Sequence, residues 1–299
     1  MSRETSAGAG KLYGLERVCR VLELHRSTLY AQQARDSAKV VPLRPQRRGP
    51  KPKMPDADLL AAIRADLEGS LFTGEGHRKV WARLRILCGI RVSRARVLRL
   101  MRENALLSPH RRPQGAPNLH DGSIQTDRPN EMWGTDGIRI ETVDEGWVWV
   151  FSAVDHFDAC CVGIHTVKIG NRFAALQPIA QALQAEFGAT GADAGRGLAL
   201  RMDHGTQYTA DDFLNQVKFW GIAPSFAFIA EPQTNGVAER FNRTLKEQVI
   251  HGRVFRNVEE LRAAVTAFKD RYNRHWRLEK LGFMSPHEAR QAYAMQKAA

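Results

Sequence analysis

The spacing of apolar positions divides the chain into helical and strand-like stretches. Between residues 12 and 34, Leu12, Leu15, Cys19 and Leu22 recur every three or four positions, and Ser27 stands where a second short helix would be capped. This pair fits a helix-turn-helix or a plain helical hairpin equally, because the usual turn glycine is missing. Residues 56–107 predict three more helices: Asp56–Leu67, Glu75–Leu87 with Val80, Leu84 and Leu87 on one face, and Arg94–Leu106 capped by Ser93. Gly89 breaks the second from the third. In the third, Val97, Leu100 and Met101 face inward, and Arg94, Arg96, Arg99 and Arg102 cover most of the rest. A helix–turn–helix with a basic second helix suits docking in a DNA groove, whereas a solvated three-helix bundle would show the same pattern.

Beyond residue 130 the period shortens. Met132–Thr142, Trp147–Asp155 and Cys160–Val167 are rich in Val, Ile and aromatics and are separated by turn residues, so they predict strands. Phe173–Phe187 predicts a helix, Leu198–Met202 a strand, Ala210–Trp220 a helix and Pro224–Phe228 a strand. A loop, Ala230–Gly236, leads to a last helix, Val237–Ile250. The order β-β-β-α-β-α-β-α is that of a ribonuclease H-like mixed α/β sheet. The predicted organisation is therefore an N-terminal helical segment (1–39), a linker (40–55), a helix-turn-helix region (56–107), a second linker (108–130), the sheet-containing core (131–250) and a helical C-terminal segment (251–299).

Charge sharpens this division. The chain of 299 residues carries a net charge of +12. Residues 1–120 hold 24 Lys and Arg against 10 Asp and Glu, residues 121–250 hold 10 against 17, and residues 251–299 hold 10 against 5. Basic flanks predict a polyanionic partner, and an acidic middle predicts chemistry that uses carboxylates. The linker 40–55, with five prolines and five basic residues, would lie extended along phosphates. No run of 18 apolar residues exists, which excludes a spanning helix and a membrane partner of that kind. The N-terminus has no apolar signal region, and the four cysteines (Cys19, Cys88, Cys160, Cys161) have neither C-x-x-C nor zinc-ligand spacing. Both point to a cytoplasmic protein with reduced thiols.

Three acids stand out by position. Asp136 lies within the first strand, on the face shared with Ile138 and Ile140. Asp203 ends the fourth strand and is followed by His204-Gly205. Glu239 lies in the first turn of the last helix, where Glu239, Arg243 and Lys246 share one face and Val237, Phe241, Leu245 and Val249 the other. Hard divalent cations prefer such oxygen ligands, and a pair of them can assist an in-line displacement at phosphorus. Arg243 and Lys246 would then hold the phosphodiester. Asp155 is a candidate fourth carboxylate, with a structural or turn role the stronger reading. His204 would meet DNA or an attacking water, or would pack within its turn. Gln207 and Tyr208 would position the site, with Asn235 at the helix entry. Trp147 and Trp149 read as core or interface, and Cys160-Cys161 as strand filler.

Thirty-five residues separate Asp203 from Glu239, and Lys246 lies seven beyond it. Trp133-Gly-Thr-Asp136, Met202-Asp203-His-Gly-Thr-Gln-Tyr208 and Asn235-Gly-Val-Ala-Glu239-Arg-Phe-Asn-Arg-Thr-Leu-Lys246 together resemble the D,D(35)E signature of retroviral-type integrases. They are most similar to insertion-sequence transposases of the OrfB type, the insertion sequence three family. Gly74-Glu-Gly-His-Arg-Lys-Val-Trp81 resembles that family's helix-turn-helix segment, and Tyr272-Asn273, His275, Leu281-Gly282 and Ser285-Pro286 its C-terminal pattern. Gly137-Ile138 and Met202 depart from the usual residues without removing a ligand. The resemblance implies a DDE transposase that cuts and joins DNA with Mg²⁺ or Mn²⁺, as two ions held by Asp136, Asp203 and Glu239. It also implies double-stranded DNA, as element ends and target, a homo-oligomeric active complex, and a bacterial protein associated with the nucleoid when active. In this family an upstream frame often supplies a fused helix-turn-helix and leucine-zipper segment. The chain begins with Met and lacks sustained heptads, so it reads either as a downstream product or as a protein whose own N-terminal helices share in end recognition. A purely hydrolytic nuclease and an inactive DNA-binding regulator are the rival readings. Both basic flanks argue against the first, and the presence of all three acids against the second.

Overall fold

A computed structural model describes residues 3–37, 53–108, 124–227 and 235–298. The chain divides into two compact units, Met1–Lys53 and Met54–Ala299. The first contains α1 (Leu15–Val21) and α2 (Arg26–Ser37). Cys19 is buried there, while Leu12, Val21, Leu22, Leu24 and Tyr30 are exposed. The linker predicted at 40–55 lies outside the described residues except for its last three positions, and most of the linker at 108–130 also lies outside them.

The second unit begins with α3 (Asp56–Glu68), α4 (His77–Ile86) and α5 (Arg94–Glu103). Leu59, Ile63, Val80, Leu84, Val97, Leu100 and Met101 form their common core, so the apolar period selects the faces as expected except at Leu87, which lies past the end of α4 and is exposed. Ser93 caps α5 by accepting the Arg96 N–H at 3.3 Å. Gly89 turns the chain with φ +66°. Two helices are shorter than the pattern predicts. Glu75 precedes α4 because its carboxylate turns into the bundle, where it accepts from Ser70 and pairs with Arg83. Past Asn104, Ala105 takes φ +54° and ends α5 before Leu106.

The sheet contains β1 (Met132–Thr142), β2 (Gly146–Asp155), β3 (Cys161–Val167), β4 (Ala199–Met202) and β5 (Ala223–Phe226) in the order β3-β2-β1-β4-β5. β1, β2 and β3 run antiparallel, and β4 and β5 join parallel to β1. This is the ribonuclease H-like arrangement. α6 (Arg172–Phe187) and α7 (Asp211–Phe219) cover one face through Trp133, Phe151, Ile179, Leu183 and Phe213. Gly163 makes the close approach of α6 possible, since a Cβ there would meet the Pro178 carbonyl oxygen at 1.8 Å.

The other face carries Ile138, Ile140, Val148 and Val150 beneath α8 (Gly236–Leu245), a π turn (Lys246–Ile250) and α9 (Val258–His275). The helix predicted to run unbroken to Ile250 therefore changes its winding at Lys246, while Val249 still points into the core. A 3₁₀ turn (Glu279–Leu281) and α10 (Pro286–Ala298) complete the chain. The bundle rests on this C-terminal region through the Phe72 and Trp276 rings, 4.8 Å apart, and reciprocal bonds between Thr73 and Gln248. No helix among the described residues is long and apolar enough to cross a membrane.

At the far end of β2, Asp155 and Asp158 both pair with Arg290 of α10, at 2.9 and 2.7 Å. Asp155 is thus a structural anchor for the C-terminal helix. Trp149 stacks on Phe151 at 5.4 Å, and Trp147 is exposed, with Arg139 lying over both indoles. Cys160 and Cys161 are buried in and beside β3, and burial pushes the Cys161 thiol up to about 12.

Candidate active site

Strand register brings the first two acids together. β1 and β4 pair in parallel, with Gly134 opposite Arg201. Continued by two residues, this register would set Asp203 beside Asp136, and the charge of Asp203 acts on Asp136. The third acid arrives on α8, which packs over β1 and β2 and carries Glu239 in its first turn. Gly134 permits this approach: a Cβ there would stand 2.8 Å from Asn235 Oδ1 and 3.4 Å from the Ala238 methyl. Asn235 donates its Nδ2 to the Thr135 carbonyl at 2.9 Å, which ties the helix entry to the strand beside Asp136.

Asp136 is held from two sides. Its Oδ1 accepts the Gly137 N–H at 2.8 Å and its Oδ2 accepts Asn242 Nδ2 at 2.9 Å. Asn242 in turn accepts the Ser152 hydroxyl at 3.1 Å, so a chain from β2 through α8 orients the carboxylate on β1. Sequence reasoning missed Asn242. Its signal was a polar residue four positions after Ala238 and three before Leu245, on the buried face of the helix. Asp203 is exposed, and its Oδ1 accepts the Gly205 N–H at 2.9 Å.

The acids act on one another electrostatically. Burial raises the Asp136 carboxyl above its ordinary range, and the charge of Asp203 adds to the rise, while Asn242, Gly137 and Lys246 oppose it. Burial and then the charges of Asp136 and Asp203 raise Glu239, and Arg243 opposes them. Tyr208 is buried behind the pair, where burial and both aspartates push its hydroxyl well above its usual value. Among the described residues no three His, Cys, Asp or Glu side chains close into a metal-ligand cluster. The donor set of Asp136, Asp203 and Glu239 nonetheless suits a hard divalent cation: all donors are oxygens, and two of the three are raised by burial and by like charge that a cation would relieve.

The supporting residues divide. Gln207 reaches toward the Gly170 carbonyl at 3.4 Å, bridging the Asp203 loop to the start of α6. His204 is turned away: its Nε2 meets the Ala227 carbonyl oxygen at 2.8 Å and its ring stacks on Phe226. Arg243 is exposed and Lys246 half-buried. The four arginines of α5 lie in the bundle, and three of them are paired there. Arg96 and Arg99 bind Asp56, and Arg94 binds Glu279.

With this geometry in place, the class follows: a ribonuclease H-like core that brings three carboxylates to one side of a parallel strand pair. Integrase core domain models match residues 126–232 and 221–286, and an HTH-like domain model matches residues 74–114. The transposase for insertion sequence element IS629 of Shigella sonnei is 29% identical over 73% of this chain and 74% of its own length. Transposase InsD for insertion element IS2 of Escherichia coli is 28% identical over 78% of each. A crystal structure of the catalytic core domain of BIV integrase is 22% identical, covering 57% of this chain and 99% of that one, with a TM-score of 0.39. The chain thus carries an integrase core of the retroviral type, that of a polynucleotidyl transferase, and is similar over about three quarters of its length to insertion-sequence transposases.

Proposed function

We propose that the chain catalyses divalent-metal-dependent DNA strand cleavage and strand transfer at the ends of a mobile insertion element. What supports this reading is the strand register, which continued by two residues would set Asp203 beside Asp136, with Glu239 brought in on α8 and with burial and the charges of neighbouring acids raising Asp136 and Glu239. Asp136, Asp203 and Glu239 would hold Mg²⁺ or Mn²⁺, as two ions. When bound, such ions promote the attacking oxygen and stabilise the leaving oxygen of an in-line displacement at phosphorus.

The remaining roles belong to this chain's own groups. Asn242 and Ser152 fix the Asp136 carboxylate, and Asn235 fixes the entry of the Glu239 helix. Arg243 and Lys246 hold the phosphodiester across the acids. Gln207 and Tyr208 hold the Asp203 loop, and His204 anchors it to β5. The α3–α5 bundle binds duplex DNA through Arg94, Arg96, Arg99 and Arg102, sequence ends and target being the two substrates. The active form is a homo-oligomer, an upstream-frame product or the chain's own N-terminal helices take part in end recognition, and the protein works in the bacterial cytoplasm at the nucleoid.

The test is a labelled element-end duplex incubated with wild type and Asp203→Asn, the upstream-frame product supplied. Nicking and joining should fall by about three orders of magnitude or more in the variant. End binding in Ca²⁺ should stay unchanged, because the bundle is intact. A variant that still cuts would place the chemistry elsewhere. A wild type that binds ends and never nicks them under any divalent cation would make the chain a regulator.

A further inference from the structure

α4 opens with His77 and Arg78, and α5 with Arg94. Burial, then the charges of Arg78, Arg94 and Arg102, holds the His77 imidazole below its ordinary value, so the cations here are the arginines. One acid pairs with this cluster among the described residues: Glu279, in the 3₁₀ turn beyond α9. Arg78 Nη1 takes its Oε2 at 2.6 Å and Arg94 Nη1 takes its Oε1 at 3.1 Å. A carboxylate with each oxygen on a separate guanidinium presents the charge and spacing of the two free oxygens of a phosphodiester.

The arrangement can open without unfolding. The side chains of Arg78, Arg94 and Glu279 are 57%, 48% and 45% exposed. Beneath them the backbone is secured separately, by the Trp81 and Phe283 rings at 5.6 Å and the Phe72 and Trp276 rings at 4.8 Å. The carboxylate is thus free to swing out while the turn stays docked. Arg96 and Arg99 contrast with this pair: Arg96 also donates to the Met54 carbonyl, and Asp56 is fixed on the helix that packs against α5.

We propose that Arg78 and Arg94 form a phosphate-binding site for duplex DNA that Glu279 closes in the free protein, so that DNA binding displaces this carboxylate. The inference rests on the reading of the bundle as a DNA-binding element and adds to it a built-in competitor from the C-terminal segment. Glu279 then lowers affinity for any duplex and favours ends whose other contacts are strong enough to open the site.

The experiment is fluorescence anisotropy of the full chain with a labelled random-sequence duplex, without divalent cation, over a series of salt concentrations. Glu279→Gln should tighten binding roughly three- to tenfold at low salt and steepen the slope of log Kd against log salt by about one. Glu68→Gln, an exposed acid at the end of α3, controls for the loss of one negative charge and should change affinity far less. In an Arg78→Gln, Arg94→Gln background, Glu279→Gln should add nothing. Wild type that binds the duplex while Glu279→Gln binds no tighter than Glu68→Gln overturns this inference alone. Wild type and Glu279→Gln that both fail to bind overturn the DNA-binding reading with it.

Discussion

In the helical bundle, three of the four arginines along α5 end on a carboxylate: Arg94 on Glu279, Arg96 and Arg99 on Asp56. In the sheet, Asp136 and Glu239 meet other acids, and burial, then like charge, lifts both. In the bundle the Arg94–Glu279 pair lies at the surface, where an ion pair contributes only about 0–1 kcal/mol and can be exchanged, whereas Arg96 is largely buried and also bonded to the Met54 carbonyl. The sheet bonds Asp136 to Asn242 and Gly137 but pairs none of the three acids with a cation among the described residues. A third place shows acids that the protein partners with its own groups, although burial and the charge of Asp158 still raise Asp155 to about 7. Asp155 and Asp158, both fully buried, share Arg290, and backbone N–H groups of Asn130, Phe157 and Cys160 complete the pair. An exchangeable pair suits a surface that takes up phosphates, acids without an ion pair suit a site that binds a cation, and acids bonded to Arg290 and to backbone N–H groups suit an anchor.

Arg290 gives the largest expected effect. Arg290→Gln leaves two buried carboxylates without their cation, so the fold should lose about 3–5 kcal/mol, measured by denaturant unfolding. A loss near that of a surface pair would remove the distinction between the anchor and the α5 pairs. His156 comes next. Both of its ring nitrogens are buried without a hydrogen-bond partner among the described residues, and burial, then Lys280 and Arg201, lower it to about 4. Its folded value lies below the unfolded value of 6.5, so the unfolded chain binds the proton first as pH falls. Its contribution is full above about pH 6.5 and is lost toward pH 4, at about 1.4 kcal/mol per pH unit. Unfolding curves of wild type and His156→Gln should therefore converge as pH falls through this window; parallel curves would show that His156 is not buried neutral.

Smaller effects test the two charge regions themselves. Asp136→Asn should stabilise the chain in EDTA by about 1 kcal/mol, because it removes a partly buried charge that meets Asp203 and keeps an acceptor for Asn242. A clear loss of stability would mean that the acid is already compensated. Arg99→Gln should cost at most about 1 kcal/mol in thermal unfolding.

Local pattern carried much of this and failed where distant residues decide. β1 was legible over its whole span, Met132–Thr142, because Ile138 and Ile140 alternate with exposed positions, and the same alternation placed Asp136 on the face that α8 covers. The π turn at Lys246 was not, since Leu245 and Val249 are buried under either winding. The pairing of the α5 arginines was also hidden. Arg96 reaches Asp56 forty residues away and Arg94 reaches Glu279 one hundred and eighty-five residues away, separations at which no periodicity speaks. His204 read as a site residue from its neighbour Asp203, yet strand β5 claims its ring.

The central claim is that Asp136, Asp203 and Glu239 together bind a divalent cation. Thermal unfolding with and without saturating Mn²⁺ tests it most directly, because a ligand that binds only the folded state raises Tm by mass action. Wild type and Arg99→Gln should both gain a saturable rise in Tm, and Asp203→Asn should gain little or none. A wild-type Tm that Mn²⁺ leaves unmoved, or an equal rise in Asp203→Asn, would contradict the account.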